Sequence, residues 1–234
     1  AGNHIAFLAP ADYGRTAGDL RAPDGTLNQP TAGTVLTAAT VSQDIFYRTV
    51  ASAASLTLVT HATGANNTEA NSDSYHISIS GDGSKIAYAS RATNLTADIL
   101  SAPAITGSAN RYPRTFAFIW ERSSNTNYLL SVTSTGAIPA TGTSSSDDCL
   151  FPYLTRNGNW VAFQTGKALT PSMTATGSTN GTRLYVRDVS TLPPTASAIR
   201  RANCDVNGTQ GHSLGRNDAG IASVSEDGRV VSFW

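Results

Sequence analysis

The chain has 234 residues, of which 40% are apolar and only 14% charged, and its 16 basic and 16 acidic side chains leave no formal net charge. A nucleic-acid-binding surface normally needs a basic surplus or stripe, so no nucleic-acid partner is expected. No apolar run approaches the roughly 18 residues of a membrane-spanning helix, and no leader precedes Ala1, so we expect any signal peptide to have been removed. The scarcity of charge favours a periplasmic or secreted bacterial protein.

One hairpin pattern occurs three times. Each copy has a short alternating apolar run, a turn containing glycine and a second apolar run, as in a β-hairpin. The copies are SYHISISGDGSKIAYAS (74–90), LFPYLTRNGNWVAFQT (150–165) and GIASVSEDGRVVSFW (220–234). GNHIAFLA (2–9) is the second half of a fourth copy. We expect each turn to be a two-residue loop, too short for chemistry.

Two further strand-like runs follow each hairpin, so each repeat unit contains strands A and B of the hairpin and then strands C and D. Strand C is expected at 44–50, 115–122 and 183–189, and strand D at 55–61, 128–133 and 198–202. Four-stranded units at a regular spacing are typical of β-propellers. The sequence therefore predicts an all-β fold, a propeller of four-stranded antiparallel blades. A β-sandwich is the alternative, but a sandwich has no reason to repeat its hairpin.

The hairpin turns and the strands after them resemble the repeat of the TolB-type β-propeller family. That repeat has an apolar strand, a serine, Asp-Gly and an Ile/Val-Ala-Phe strand; the matching segments here are ISGDGSKIAY, LTRNGNWVAF and VSEDGRVVSF. The segment ATNLT at 92–96 fits as well. The resemblance covers nearly the whole chain, and it implies a toroid of blades rather than a reaction.

We expect one propeller domain or fragment over residues 1–234, with repeat units at about 2–82, 83–157 and 158–227 and a final strand. The thirteen expected strands amount to about three blades, whereas a closed propeller needs roughly four to eight. Either the chain is a piece of a longer polypeptide, or identical chains complete the ring as a homo-oligomer. The first interpretation is favoured, because the chain begins inside a turn and ends inside a strand.

The connections between strands B and C are long, at about 10–43, 91–114 and 166–181. Loops of more than roughly 12–15 residues are usually functional or disordered. In a propeller they lie on the same face as the D–A connections. We therefore expect this long-loop face to bind a protein, a glycan or a component of the cell envelope.

An aspartate precedes strand A in every unit, at Asp73, Asp148 and Asp218. In a ring these side chains would surround the mouth of the central channel. Two interpretations are open. The carboxylates form a metal site for a cation such as Ca²⁺, or each is a structural cap in an Asx-type turn. Capping is favoured, because residues that recur with a repeat usually serve the repeat. No other cofactor is expected.

No catalytic residue is expected. Residues 211–215 read G-x-S-x-G around Ser213, but a nucleophile elbow needs a buried strand before the serine and a helix after it. The flanking residues are turn-like, so the match is attributed to chance. The favoured hypothesis is a non-catalytic exported scaffold. The alternative is the propeller part of a peptidase-like hydrolase whose catalytic domain lies outside this chain.

Cys149 and Cys204 are the only cysteines. Strands A and D of one blade lie roughly 14 Å apart, whereas a disulfide needs Cα atoms within about 7 Å. An exported chain would nevertheless normally pair its two cysteines. The sequence leaves both outcomes open.

Overall fold

The computed structural model describes residues 3–10, 42–50, 56–100, 115–139, 148–170, 182–203 and 221–233. The first unit contains β1 (His4–Pro10), β2 (Gln43–Thr49) and β3 (Leu56–Leu58), followed by a small hairpin of β4 (His61–Ala62) and β5 (Ala65–Glu69). The second contains β6 (Ser74–Ile79), β7 (Lys85–Ser90), the short helix α1 (Ala97–Leu100), β8 (Phe116–Glu121) and β9 (Thr126–Leu129). The third contains β10 (Leu150–Leu154), β11 (Trp160–Thr165), β12 (Arg183–Asp188) and β13 (Ile199–Arg201), and the last hairpin is β14 (Ile221–Val224) with β15 (Val231–Phe233).

Within each unit the strands pair antiparallel and in sequence order. The second and third units are four-stranded sheets, β6-β7-β8-β9 and β10-β11-β12-β13, and the first is a three-stranded sheet, β1-β2-β3. A four-stranded antiparallel meander repeated along the chain is the blade of a β-propeller. The predicted fold class is confirmed: the described residues are nearly all β, with about three blades' worth of antiparallel strands. The β4–β5 hairpin and α1 were not predicted.

The turn from β6 to β7 is longer than the expected two residues. β6 ends at Ile79 and β7 begins at Lys85, and the Gly83 N–H donates to the Ser80 carbonyl at 2.9 Å. Asp82 Oδ1 accepts hydrogen bonds from the Ser80 hydroxyl at 2.7 Å and from the Ser84 N–H at 2.9 Å. Burial raises the pKa of Asp82, but these bonds outweigh it and hold that pKa at about 2. The local motif thus fixes its own turn.

The other two turns repeat the same bonds, because they carry the same polar pair. The side chains of Asn157 and Asp227 accept from the Thr155 and Ser225 hydroxyls at 2.8 and 2.6 Å. The glycine that follows has a positive φ in all three turns, at 64°, 71° and 69°. Only glycine adopts that conformation without steric cost, so the S/T-x-D/N-G pattern specifies the hairpin.

Consecutive blades are joined where one turn meets the next. The residue two positions after each turn glycine lies over the following turn: His4 over Gly83, Lys85 over Gly158 and Trp160 over Gly228. A Cβ on Gly83 would lie only 2.3 Å from His4 Cγ, and one on Gly228 only 2.2 Å from Trp160 Cδ2. Lys85 Nζ also donates to the Gly158 carbonyl at 3.1 Å and to the Val189 carbonyl at 2.5 Å. Gly83 and Gly228 are therefore required by packing as well as by backbone conformation.

The hydrophobic core lies between the sheets, in layers. Large side chains of β7 and β8, such as Tyr88 and Phe118, pack towards the first unit. On the other side of the same strands, the small residues Ala87 and Ala117 face Phe163 and Tyr185 of the third unit. Alternation along a strand places successive side chains on opposite faces of the sheet. Small residues opposite large rings allow neighbouring sheets to approach closely.

Candidate functional site

The innermost strands of the second and third units are bulged where they begin. β6 and β10, the strands A of these units, are linked by the Leu154 N–H, which donates to Ser78 Oγ at 2.9 Å. In β6, Tyr75 pairs with Ala89 and Ser78 with Ala87, so two residues oppose Tyr88 alone. In β10, Leu150 pairs with Gln164 and Tyr153 with Ala162, so two residues again oppose a single residue, Phe163. A bulge of this kind re-aims a side chain and interrupts the hydrogen-bond ladder.

The bulges place two large side chains in a strained backbone conformation. His76 has φ 56° and Phe151 has φ 51°, and both lie four residues before the first residue of their turn motif. An L-residue in the left-handed region costs roughly 1–2 kcal/mol. The two ring centroids are 4.4 Å apart at an interplanar angle of 56°, and the Tyr75 ring contacts His76 edge-on at 5.3 Å. We call Tyr75, His76 and Phe151 the aromatic cluster.

The aromatic cluster is accessible and lies on the long-loop face. Phe151 is 37% exposed and Tyr153 36% exposed, whereas Pro152 and Leu154, which alternate with them in β10, are buried. The cluster sits where the inner strands begin, which is the side that carries the B–C and D–A connections. Phe151 is therefore the member of the cluster that is most accessible to a ligand.

Polar groups surround the cluster. The Tyr75 hydroxyl hydrogen-bonds with Thr115 Oγ1 at 2.8 Å, and the Arg91 guanidinium carbon lies 5.5 Å from the Tyr75 ring centroid. Burial raises the pKa of Tyr75, so its phenol remains a neutral hydroxyl. Burial also lowers the pKa of His76 from 6.5, so its imidazole is neutral at pH 7. Among the described residues, the His76 ring nitrogens have no hydrogen-bond partner.

Two of the three predicted carboxylates bind backbone N–H groups of the preceding unit. Asp73 Oδ1 accepts from the Gln43 N–H and Asp148 Oδ1 from the Thr115 N–H, both at 2.9 Å and across 30 and 33 residues. The two donors are equivalent in the repeat. Gln43 lies three residues before Phe46 and Thr115 three residues before Phe118, and these two phenylalanines occupy the same position of strand C, where each pairs with strand B. These bonds connect one blade to the next, whereas an Asx turn would be local.

The metal interpretation of Asp73, Asp148 and Asp218 stays a prediction. Asp218 lies outside the described residues. Within the described part of the chain, no group of three or more His, Cys, Asp or Glu side chains is placed to hold a metal ion. The second carboxylate oxygens of Asp73 and Asp148 have no hydrogen-bond partner in that part of the chain.

The remaining predicted residues are only partly described. Cys149 is fully buried, and burial raises the pKa of its thiol although Lys167 and nearby hydroxyls lower it. Cys204 and the segment 211–215 around Ser213 lie outside the described residues, so the disulfide with Cys204 stays a prediction. The B–C connection at 91–114 begins as part of the core, because Leu95 and Ile99 are 1% and 2% exposed.

A buried acid that the sequence analysis missed lies at the start of β2. Asp44 is 0% exposed, its Oδ1 accepts from the Thr60 hydroxyl at 2.6 Å, and its Oδ2 has no partner. The pKa of Asp44 is raised from 3.8 to about 7, chiefly by burial; Glu69 and Asp73 also raise it, whereas the Thr60 bond and the Ala70 backbone lower it. In the sequence Asp44 is a single polar residue at the edge of an apolar run, and no pattern there indicates that it is buried.

The described residues contain no helix long and apolar enough to cross a membrane. No protein-family model and no curated protein matches the sequence. Among solved structures, the chain is similar to TolB from Acinetobacter baumannii, with 13% identity and a TM-score of 0.43 over 99% of this chain and 35% of TolB. It is also similar to the tricorn protease, with 12% identity and a TM-score of 0.35 over 62% of this chain and 11% of the protease. The chain thus spans about a third of the TolB chain, and the propeller class rests on its own blades.

Proposed function

We propose that the chain is a non-catalytic β-propeller scaffold, exported to the periplasm or out of the cell, that binds a protein, a glycan or a cell-envelope component through its long-loop face. The observation that carries this proposal is the accessible aromatic cluster on the bulged inner strands. Low charge supports export, because few basic or acidic side chains are available for nucleic acids or other highly charged partners.

The strain at the cluster supports a role in binding. Backbone strain is kept where the surrounding structure or a function demands it. Here the bulge needs a left-handed residue, but glycine or asparagine would meet that need at lower cost. The rings of His76 and Phe151 are therefore in excess of what the fold requires.

Photo-crosslinking tests the proposal. Benzoylphenylalanine is introduced in place of Tyr153, on the inner strand, or in place of Val230, a 67% exposed residue after the last turn. We expect adducts with material from the expressing cells at position 153 and few at position 230. Equal labelling at both positions, or none at position 153, would contradict binding at the long-loop face.

A further inference from the structure

The ligand class follows from what the aromatic cluster presents to solvent. Phe151 offers a partly exposed ring face beside the half-buried His76 ring. The apolar C–H face of a sugar ring packs on an exposed aromatic ring such as that of Phe151, as other apolar groups pack on aromatic rings. An aromatic platform alone would also accept an apolar side chain, so the polar groups decide between the two.

Hydrogen-bonding groups of both kinds lie unused around the platform. The His76 nitrogens supply one donor and one acceptor in the neutral ring. Neither His76 nitrogen has a hydrogen-bond partner among the described residues. A ligand rich in hydroxyl groups can satisfy donors and acceptors at the same time, which an apolar side chain cannot.

The charges around the cluster do not favour an ionic ligand. The positive charge of Arg91 and the negative charges of Asp73 and Asp148 act on Tyr75 in opposite directions, and the His76 imidazole is neutral at pH 7, so neither a cation nor an anion is favoured at the cluster. An uncharged ligand avoids the cost of removing an ion from water beside a like charge.

The bulges also disfavour an extended peptide. A peptide that adds to a sheet edge needs a regular row of free N–H and C=O groups. At His76 and Phe151 that row is broken on two successive inner strands, and bulges are a common device against edge pairing. The hydrogen-bonding row of β6 and β10 is thus interrupted at the cluster itself, where a peptide would have to pair.

We infer that the aromatic cluster is a subsite for a neutral saccharide, with a sugar ring packed on the Phe151 ring and a hydroxyl group hydrogen-bonded to the His76 imidazole. This inference rests on the proposed function and narrows it to one class of ligand. Neither the blade repeat nor the turn motif implies it.

Binding is tested with the whole chain on an array of neutral oligosaccharides built from glucose, galactose, mannose and N-acetylhexosamines. The best of these is then titrated in solution while the ring resonances of His76 and Phe151 are followed by NMR. Concentrations up to about 10 mM detect a dissociation constant near 1 mM. We expect a saturable shift of both ring resonances.

The matched variants are Phe151→Asn and His76→Asn, because asparagine tolerates the left-handed conformation and the fold is kept. Each is expected to weaken binding by about tenfold or more. The control Val230→Asn changes an exposed apolar residue near the last turn and should leave the affinity unchanged. Unchanged melting temperatures identify the loss as local.

Three outcomes overturn the inference: no oligosaccharide shifts the two rings, both asparagine variants bind as tightly as the parent, or Val230→Asn weakens binding equally. The crosslinking result at position 153 distinguishes failure of the saccharide subsite from failure of the scaffold function. Adducts with protein, together with an empty array, would reject the saccharide and leave the scaffold function standing. Absence of both would reject both.

Discussion

Replacing Asp44 with asparagine is expected to remove a pH-dependent loss of stability. The Asp44 side chain is 0% exposed and its Oδ2 has no partner, so ionising it in the folded protein leaves a buried charge uncompensated. In the unfolded chain the same carboxyl ionises freely, near its ordinary pKa of 3.8. Asparagine retains an acceptor for the Thr60 hydroxyl and never ionises.

The sign and size of the effect follow from linkage. Because the folded pKa, about 7, lies above 3.8, the folded state binds the proton more tightly than the unfolded state. Stability is greatest below pH 3.8 and falls as the pH rises through 7. One pKa unit corresponds to about 1.4 kcal/mol. The parent should therefore lose about 3 kcal/mol relative to Asp44→Asn between pH 5 and pH 8, a large share of a typical domain stability of about 5–15 kcal/mol.

Urea unfolding of the parent and of Asp44→Asn at half-unit pH intervals measures this difference. Titration of every other group cancels when the two curves are subtracted, because both proteins carry the same groups. A third protein, Thr60→Val, loses the hydrogen bond that lowers the pKa of Asp44, so its stability should continue to fall at higher pH than that of the parent. Parallel curves for parent and Asp44→Asn would refute the burial argument.

Three further outcomes are expected. Gly64→Ala, at φ 73° with open space around it, should lower the stability by about 1 kcal/mol from backbone conformation alone. Gly83→Ala should lower it more, because the added Cβ meets His4. Adding His4→Ala to Gly83→Ala should restore part of that stability, as measured by thermal unfolding. Asp148→Ala should cost about 0.5–2 kcal/mol by analogy with a lost cap and be insensitive to calcium; a calcium-dependent rise of the parent's melting temperature that this variant lacks would instead support the cation site. In denatured, unreduced protein, two titratable thiols would exclude the bridge between Cys149 and Cys204, which would otherwise stabilise the chain by about 4 kcal/mol.

The hairpins could be predicted because their information is local. The hydroxyl, the carboxylate or amide and the glycine of each turn stand within four residues, as in Ser80, Asp82 and Gly83, and the bonds between them are the turn itself. Strands B and C were predictable for a related reason. In the second and third units these strands, β7, β8, β11 and β12, are buried on both faces, so they read as continuous apolar runs such as KIAYAS and TFAFIW.

The contacts between blades could not be predicted in the same way. Asp73 was recognised as a recurring residue at the start of strand A, but its acceptor oxygen binds a N–H group 30 residues earlier. Which backbone group it meets depends on how far one blade is rotated against the next, and no local pattern encodes that rotation. Asp44 was missed because its raised pKa comes from burial by distant residues rather than from its neighbours in sequence.

The bulges show where the repeat leaves freedom for function. The turn keeps its hydroxyl, its Asp or Asn and its glycine in all three hairpins, since each atom has a structural partner there. The position four residues before the turn motif holds His76, then Phe151, then Ile221; the first two lie in bulges, whereas Ile221 pairs with Phe233. His76 and Phe151 share the left-handed backbone conformation but differ in side chain. The fold therefore requires the backbone conformation at this position and not a particular side chain. A repeat protein can vary such positions from blade to blade without loss of the blade, and a difference in ligand recognition would be carried there.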